Sequence, residues 1–197
     1  MALTLSPPTL ADALWPAQGV NRALRGAILV VVGTALLTLS AKIQVPFYPV
    51  PMTLQTLVVL LLGLAYGSAL GAATVVAYLA EGAFGLPVFA GTPEKGLGLA
   101  YMLGPTGGYL MGFALAAGIA GWIAEHRPGL LGLVLAVVAG TLTIYVPGLL
   151  WLGTFVGVEQ AFAVGLVPFI WADLAKGALA VALGATGWAL LRRRLAP

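Results

Sequence analysis

The chain has no cysteine and a single histidine, His126. That excludes disulfides, thiolate chemistry, cysteine metal sites and any multi-histidine metal site. Charge is nearly as scarce. Only 8% of the 197 residues are charged and 61% are hydrophobic, whereas a soluble domain carries about 25% charged residues. Such a chain cannot cover a surface facing water, and it belongs in a bilayer. No G-x-x-x-x-G-K-[ST] loop, HExxH, Ser-His-Asp set or paired-acid arrangement is present, so neither nucleotide hydrolysis nor another enzymatic step is expected, and no cofactor. The basic tail at Arg192 to Arg194 is too small for nucleic-acid recognition, and positive-inside anchoring explains it.

What is abundant is glycine, at 27 residues, and proline, at 13, a composition that fits closely packed, interrupted membrane helices. The opening MALTLSPPTLADALWPAQGV lacks a basic start and is broken by Pro7, Pro8 and Pro16. It reads as a cytosolic tail or surface helix over 1–21, not a secretory signal. A spanning helix needs about 17–25 mostly apolar residues. Candidate spans run from about Ala23 to Ala41, from Thr53 to Gly67, and from Ala69 to Gly85. Three more run from Pro105 to Glu125, from Leu130 to about Leu152, and from Pro168 to Leu191. The second and third are short. The expected fold is thus all-α, six transmembrane helices over 22–194, with 195–197 as a C-terminal tail. Thr53 is a candidate N-cap, and the stretch from Leu86 to Leu103 reads as a long loop.

Basic residues set the orientation. Arg22, Arg25, Arg127 and Arg192 to Arg194 fall on one side of this arrangement, with only Lys42 and Lys95 toward the other. Both termini are therefore expected in the cytosol.

Asp173 and Lys176, in WADLAKG, are the sharpest anomaly. At i, i+3 they share a helix face, and each charge in a membrane helix costs about 2.5–3.5 kcal/mol on insertion scales. Either they form a self-neutralising structural tie, or they form a polar clasp within the bundle, accepting at Asp173 and donating at Lys176. Apart from Asp173, Glu81 is the sole acid read as lying deep in a span. In GPTGGYLMG, Gly104, Gly108 and Gly112 with Ala116 and Ala120 form a close-packing face, while Tyr109 carries a phenol in need of a partner. Gln55 opens a span after the proline-rich PFYPVPM and has either loop backbone or a ligand to bond. Ala23 and Ala27 make an AxxxA step suited to helix contact, within the chain or with a partner subunit. The loop around Glu94 and Lys95 is long enough to be a lid.

PVPMTLQT (Pro49 to Thr56), GLPVFAG (Gly85 to Gly91), LGPTGGYLMGF (Leu103 to Phe113) and DLAK (Asp173 to Lys176) occur in one order. The chain resembles the BioY family, the biotin-binding S components of energy-coupling factor (ECF) transporters. The resemblance covers nearly the whole chain and implies a six-helix fold in the prokaryotic cytoplasmic membrane, biotin as ligand, and as partners an ECF transmembrane coupling subunit with two ATPase subunits. It further implies that Asp173 and Lys176 line the biotin site, that Tyr109 lies close to it, and that the loop around Gly91 covers the ligand. Ala23 and Ala27 look like the surface that meets the coupling subunit. Glu81 and the Glu94-Lys95 pair depart from the commoner family pattern. A solitary oligomeric biotin facilitator, a small intramembrane enzyme using Asp173, and a structural subunit are the competing readings.

Overall fold

A computed structural model of the chain describes residues 9–16 and 21–195, the last four of them by backbone alone. Residues 1–8, 17–20 and 196–197 of the expected tails, and the side chains of Arg192 to Arg194, lie outside the described part. Eight helices follow in chain order: α1 (Leu10–Leu14), α2 (Arg22–Lys42), α3 (Gln55–Ala83), α4 (Gly98–Met102), α5 (Gly107–His126), α6 (Leu130–Val156), α7 (Val158–Gly165) and α8 (Ile170–Leu195). A short antiparallel ladder, β1 (Gln44–Val45) against β2 (Met52–Thr53), closes the proline-rich loop after α2. This is the one departure from all-α within the described residues. Its cause is local: Pro46, Pro49 and Pro51 withhold N–H groups and hold the segment extended.

Helix ends follow side-chain chemistry. Asn21 accepts from the Ala23 N–H at 2.9 Å and caps α2, and Lys42 lies in its last turn, where a cation suits the helix dipole. Thr53 does not occupy the cap position of α3, but its hydroxyl still accepts from the first helical N–H, that of Gln55, at 3.2 Å.

In place of six separate spans, five continuous segments are long and apolar enough to cross a membrane, and the second is α3. α3 is not straight. Gly67 has φ 82° and ψ −179°, a conformation essentially confined to glycine, and it folds the helix back on itself. A Cβ at Gly71 would lie 3.1 Å from the Leu62 carbonyl and 3.2 Å from the Gly63 Cα, and the Gln55 amide reaches the Tyr78 hydroxyl at 2.8 Å. Residues 55–66 and 68–83 are therefore two antiparallel arms. Reversing the chain exposes new helix-start N–H groups. Glu125 of α5 answers them, accepting from the Ser68 N–H at 2.8 Å and from its hydroxyl at 2.9 Å.

The small-residue row works as a packing face from Gly108 onward. A Cβ at Gly112 would lie 2.8 Å from Ile144 Cα, and Ala116 and Ala120 are wholly buried. Gly104 stands outside α5, in the preceding turn, where its carbonyl accepts from Trp151 Nε1 at 2.9 Å. Large side chains face outward instead: Val31, Leu39, Leu142 and Leu150 are each 60% exposed or more. Small inside and large outside is the pattern of helices packed in lipid.

The chain has two chemically distinct ends. At one, α1 docks through Leu10 and Ala11, and Asp12 pairs with Arg25 at 2.9 Å; Gly67, Arg127 and Leu191 line a cavity there. At the other lie Lys42, the ladder and the 84–97 loop. Leu86 to Leu103 is not wholly loop, since α4 occupies its end, and Glu81 sits in the last turn of α3, not deep in a span.

The reversal yields a stability test. Gly67→Ala places a Cβ on the Glu125 carboxylate and 2.8 Å from Thr9 Cγ2, at a positive φ. It is expected to destabilise the detergent-solubilised protein by about 1–3 kcal/mol or more. Gly26→Ala, with nothing within 4 Å, is expected to be neutral or slightly stabilising. Thermal unfolding of the two variants beside the parent decides it.

Candidate functional site

Where the first arm of α3 meets α5, α6 and α8 it leaves a small pocket of about 50 Å³. Its polar end is Asp173, whose carboxylate takes donors from three helices. Lys176 Nζ donates to Oδ1 at 2.7 Å, the Thr56 hydroxyl to the same oxygen at 3.2 Å, and the Tyr145 hydroxyl to Oδ2 at 2.5 Å. The side chains of Asp173 and Lys176 are 8% and 11% exposed, so both charges are withdrawn from solvent as a pair. A Val167–Phe169 turn precedes α8 and places Asp173 in that helix's first turn, at the positive end of its dipole.

The wall beside this group is apolar and aromatic, with Leu110, Phe113, Ile144 and Phe169. Tyr109 stands edge-on to Tyr145 at 6.2 Å and donates to the Gly165 carbonyl at 2.9 Å. Glycine is needed on both sides of that ring: a Cβ at Gly148 or Gly165 would overlap Tyr109. Tyr101, outside the spans, also lines the pocket. Burial pushes its phenol above the ordinary tyrosine range, which keeps it a neutral hydrogen-bonding group.

Gln55 lines the pocket and is buried. Of the partners expected for it, loop backbone is reached at one remove: its amide donates to Tyr78, whose hydroxyl donates to the Val88 carbonyl at 3.0 Å. Gly91 adopts φ 71° in the loop, but the pocket-lining residue there is its neighbour Ala90.

Asp173, Lys176, Tyr109 and Gln55 are thus brought together. Ala23 and Ala27 are remote from the pocket, and both lie exposed on α2. Thr56 and Tyr145 escaped sequence reasoning. The available signal was a phenol in the middle of an apolar span, which needs a partner as much as Tyr109 does. Chemically the site offers an acceptor and an ammonium side by side, with an apolar slot next to them. It can orient a small molecule that has N–H donors and a carbonyl or carboxylate at its polar part.

A family model described as the BioY family matches residues 12–193. A probable biotin transporter BioY of Pyrococcus horikoshii is 43% identical over 153 residues, which are 78% of this chain and 90% of that protein. The biotin transporter BioY of Thermotoga maritima is 42% identical over 144 residues, covering 73% and 83% of the two. The fold is similar to the crystal structure of the S-component for biotin from an ECF-type ABC transporter, with a TM-score of 0.73 and 24% identity over 92% of this chain and 96% of that one. A helical, multi-pass membrane architecture, the ordered motifs and these matches agree: the chain belongs to the BioY family.

Proposed function

We propose that this protein captures biotin from outside the cytoplasmic membrane and takes part in its uptake as the substrate-binding subunit of an ECF-type transporter. The observation that carries the reading is the placement of Asp173 and Lys176, both about nine-tenths buried, in the wall of one apolar pocket. Biotin offers two ureido N–H groups, a ureido carbonyl, an apolar ring and a carboxylated chain. Asp173 accepts from the N–H groups, Lys176 donates to a carbonyl or carboxylate oxygen, and Tyr109 with the neighbouring apolar side chains holds the ring. Gln55 backs the wall, and the loop that includes Gly91 roofs it. A ligand without the ureido donors leaves the carboxylate undercompensated, which is the source of discrimination.

Counting the two arms of α3 as separate crossings gives an even number and returns the C-terminus to the side of Arg22 and Arg25. By the basic-residue rule that side is the cytosol. The partners in this reading are a transmembrane coupling subunit and two ATPase subunits. Its support is the exposed α2 face around Ala23 and Ala27, where nothing lies within 4 Å of a Cβ at Gly26. A bare small-residue face of this kind suits another membrane helix.

Equilibrium binding of biotin to the purified protein tests the site. Asp173→Asn is expected to fold and bind at least about tenfold more weakly, by loss of a charge-assisted acceptor. Parent-like affinity in folded Asp173→Asn removes Asp173 from the site. Lys176→Met strands a buried carboxylate and is expected to destabilise the fold by about 3–5 kcal/mol. Asp173→Asn/Lys176→Met recovers most of that stability but not binding, as read by unfolding and binding assays together. Ala23→Leu/Ala27→Leu is expected to spare biotin capture and to impair co-purification with the coupling subunit; unchanged assembly removes that face from the interface.

A further inference from the structure

The segment 88–92 is loop backbone, yet it is packed like core. Val88, Phe89, Ala90 and Thr92 are 8%, 1%, 3% and 6% exposed. Few groups hold it there. The Phe89 ring fills a slot that exists because residue 82 is glycine, where any side chain would overlap the ring. Tyr78 meets that ring edge-on at 5.4 Å and Tyr101 stacks on it at 5.0 Å. The Val88 carbonyl is held by the Tyr78 hydroxyl. Beyond Val88, the side chain that grips the segment from outside is Lys42. Its ammonium donates to the Phe89 carbonyl at 2.9 Å, the Thr92 carbonyl at 3.1 Å and the Thr92 hydroxyl at 3.0 Å.

An ammonium has three N–H donors, and all three are committed to this one segment. Among the described residues the salt bridges are Asp12–Arg25 and Asp173–Lys176, so no carboxylate competes for Lys42. Ala90 stands between the gripped residues and is the one that lines the pocket.

We propose that Lys42, at the end of α2, is the latch of the pocket's roof: it holds 88–92 closed over the ligand and sets how long the ligand stays. The proposal rests on the biotin-site reading for its ligand but not for its geometry. Lys42 does not line the pocket and so adds nothing to polar recognition. It is a positioning residue that acts through Ala90. Opening the roof requires breaking three charge-assisted hydrogen bonds at once, and these are stronger than neutral ones. Arginine retains the charge but has a planar fork in place of a compact three-donor head, so Lys42→Arg restores the latch only in part.

The absence of cysteine from the sequence makes opening directly measurable in the whole chain. In an Ala90→Cys background, the rate of modification by a water-soluble maleimide reports exposure of the roof without any ligand. Lys42→Met is expected to raise that rate about fivefold or more, with Lys42→Arg intermediate. A control cysteine at Ala180, wholly buried in α8, is expected to react at the same slow rate with or without Lys42. Val88→Cys serves as the reporter should Ala90→Cys fail to fold. With labelled biotin, Lys42→Met is expected to speed dissociation by a similar factor and to speed association through the same opened roof. Unchanged modification at the roof overturns the latch, and so does an equal rise at Ala180, which marks general loosening. Should the parent protein not bind biotin, the ligand reading fails, and the cysteine rates alone decide the latch.

Discussion

A carboxylate withdrawn from water must be surrounded by donors, and in this protein that requirement ties the bundle together. Asp173 draws Thr56 from the first arm of α3, Tyr145 from α6 and Lys176 from its own helix. Any shift of these helices that separates the donors leaves a buried charge uncompensated, at a cost of several kcal/mol. One group thereby fixes the relative placement of three elements and leaves an apolar slot beside itself. The pair does not have to be favourable in total to have this effect. It has only to be much worse when pulled apart.

The second organising feature is the reversal at Gly67. It sets Gln55 beside Tyr78 and so connects the pocket wall to the loop above it. It needs glycine twice, at Gly67 for its dihedrals and at Gly121 because the backbone of Gly67 and Ser68 comes within 2.5 Å of where a Cβ would sit, while Gly63 lets the first arm approach the Ala117 carbonyl of α5. The N–H of Ser68, freed by the reversal, finds its acceptor in Glu125 of α5.

Much of this was legible from residue types. Asp173 and Lys176 stood out because charge inside an apolar helix is costly, and the Gly-x-x-x-Gly row announced a helix contact that α5 and α6 make. The Gly67-Ser68 break was visible too, but not that helical hydrogen bonding continues on both sides of it, which turns two expected spans into one folded helix. Thr56, Tyr145 and Lys42 were not legible as site residues. Each works with partners that lie 28 to 117 positions away in the chain, and local spacing carries no trace of such contacts. Gly91 illustrates the same limit at short range. The loop was identified, but its path brings the adjacent Ala90, and not the glycine, to the pocket.

The folded helix also has a dimensional consequence. At about 1.5 Å per residue, α2 is roughly 31 Å long, close to the hydrocarbon thickness of a bilayer, whereas the arms of α3 reach only about 18 Å and 24 Å. The first arm starts level with the end of α2, the Leu54 N–H lying 3.3 and 3.2 Å from the Ser40 and Ile43 carbonyls, so the shortfall lies at the Gly67 end. The depth beyond the turn is taken up by the start of α1, whose cap residue Thr9 meets Gly67, and by the cavity that Gly67, Arg127 and Leu191 line. Hydrophobic mismatch, elsewhere relieved by tilting or by thinning the membrane, is here converted into a recess at that end, with a short docked helix beside it.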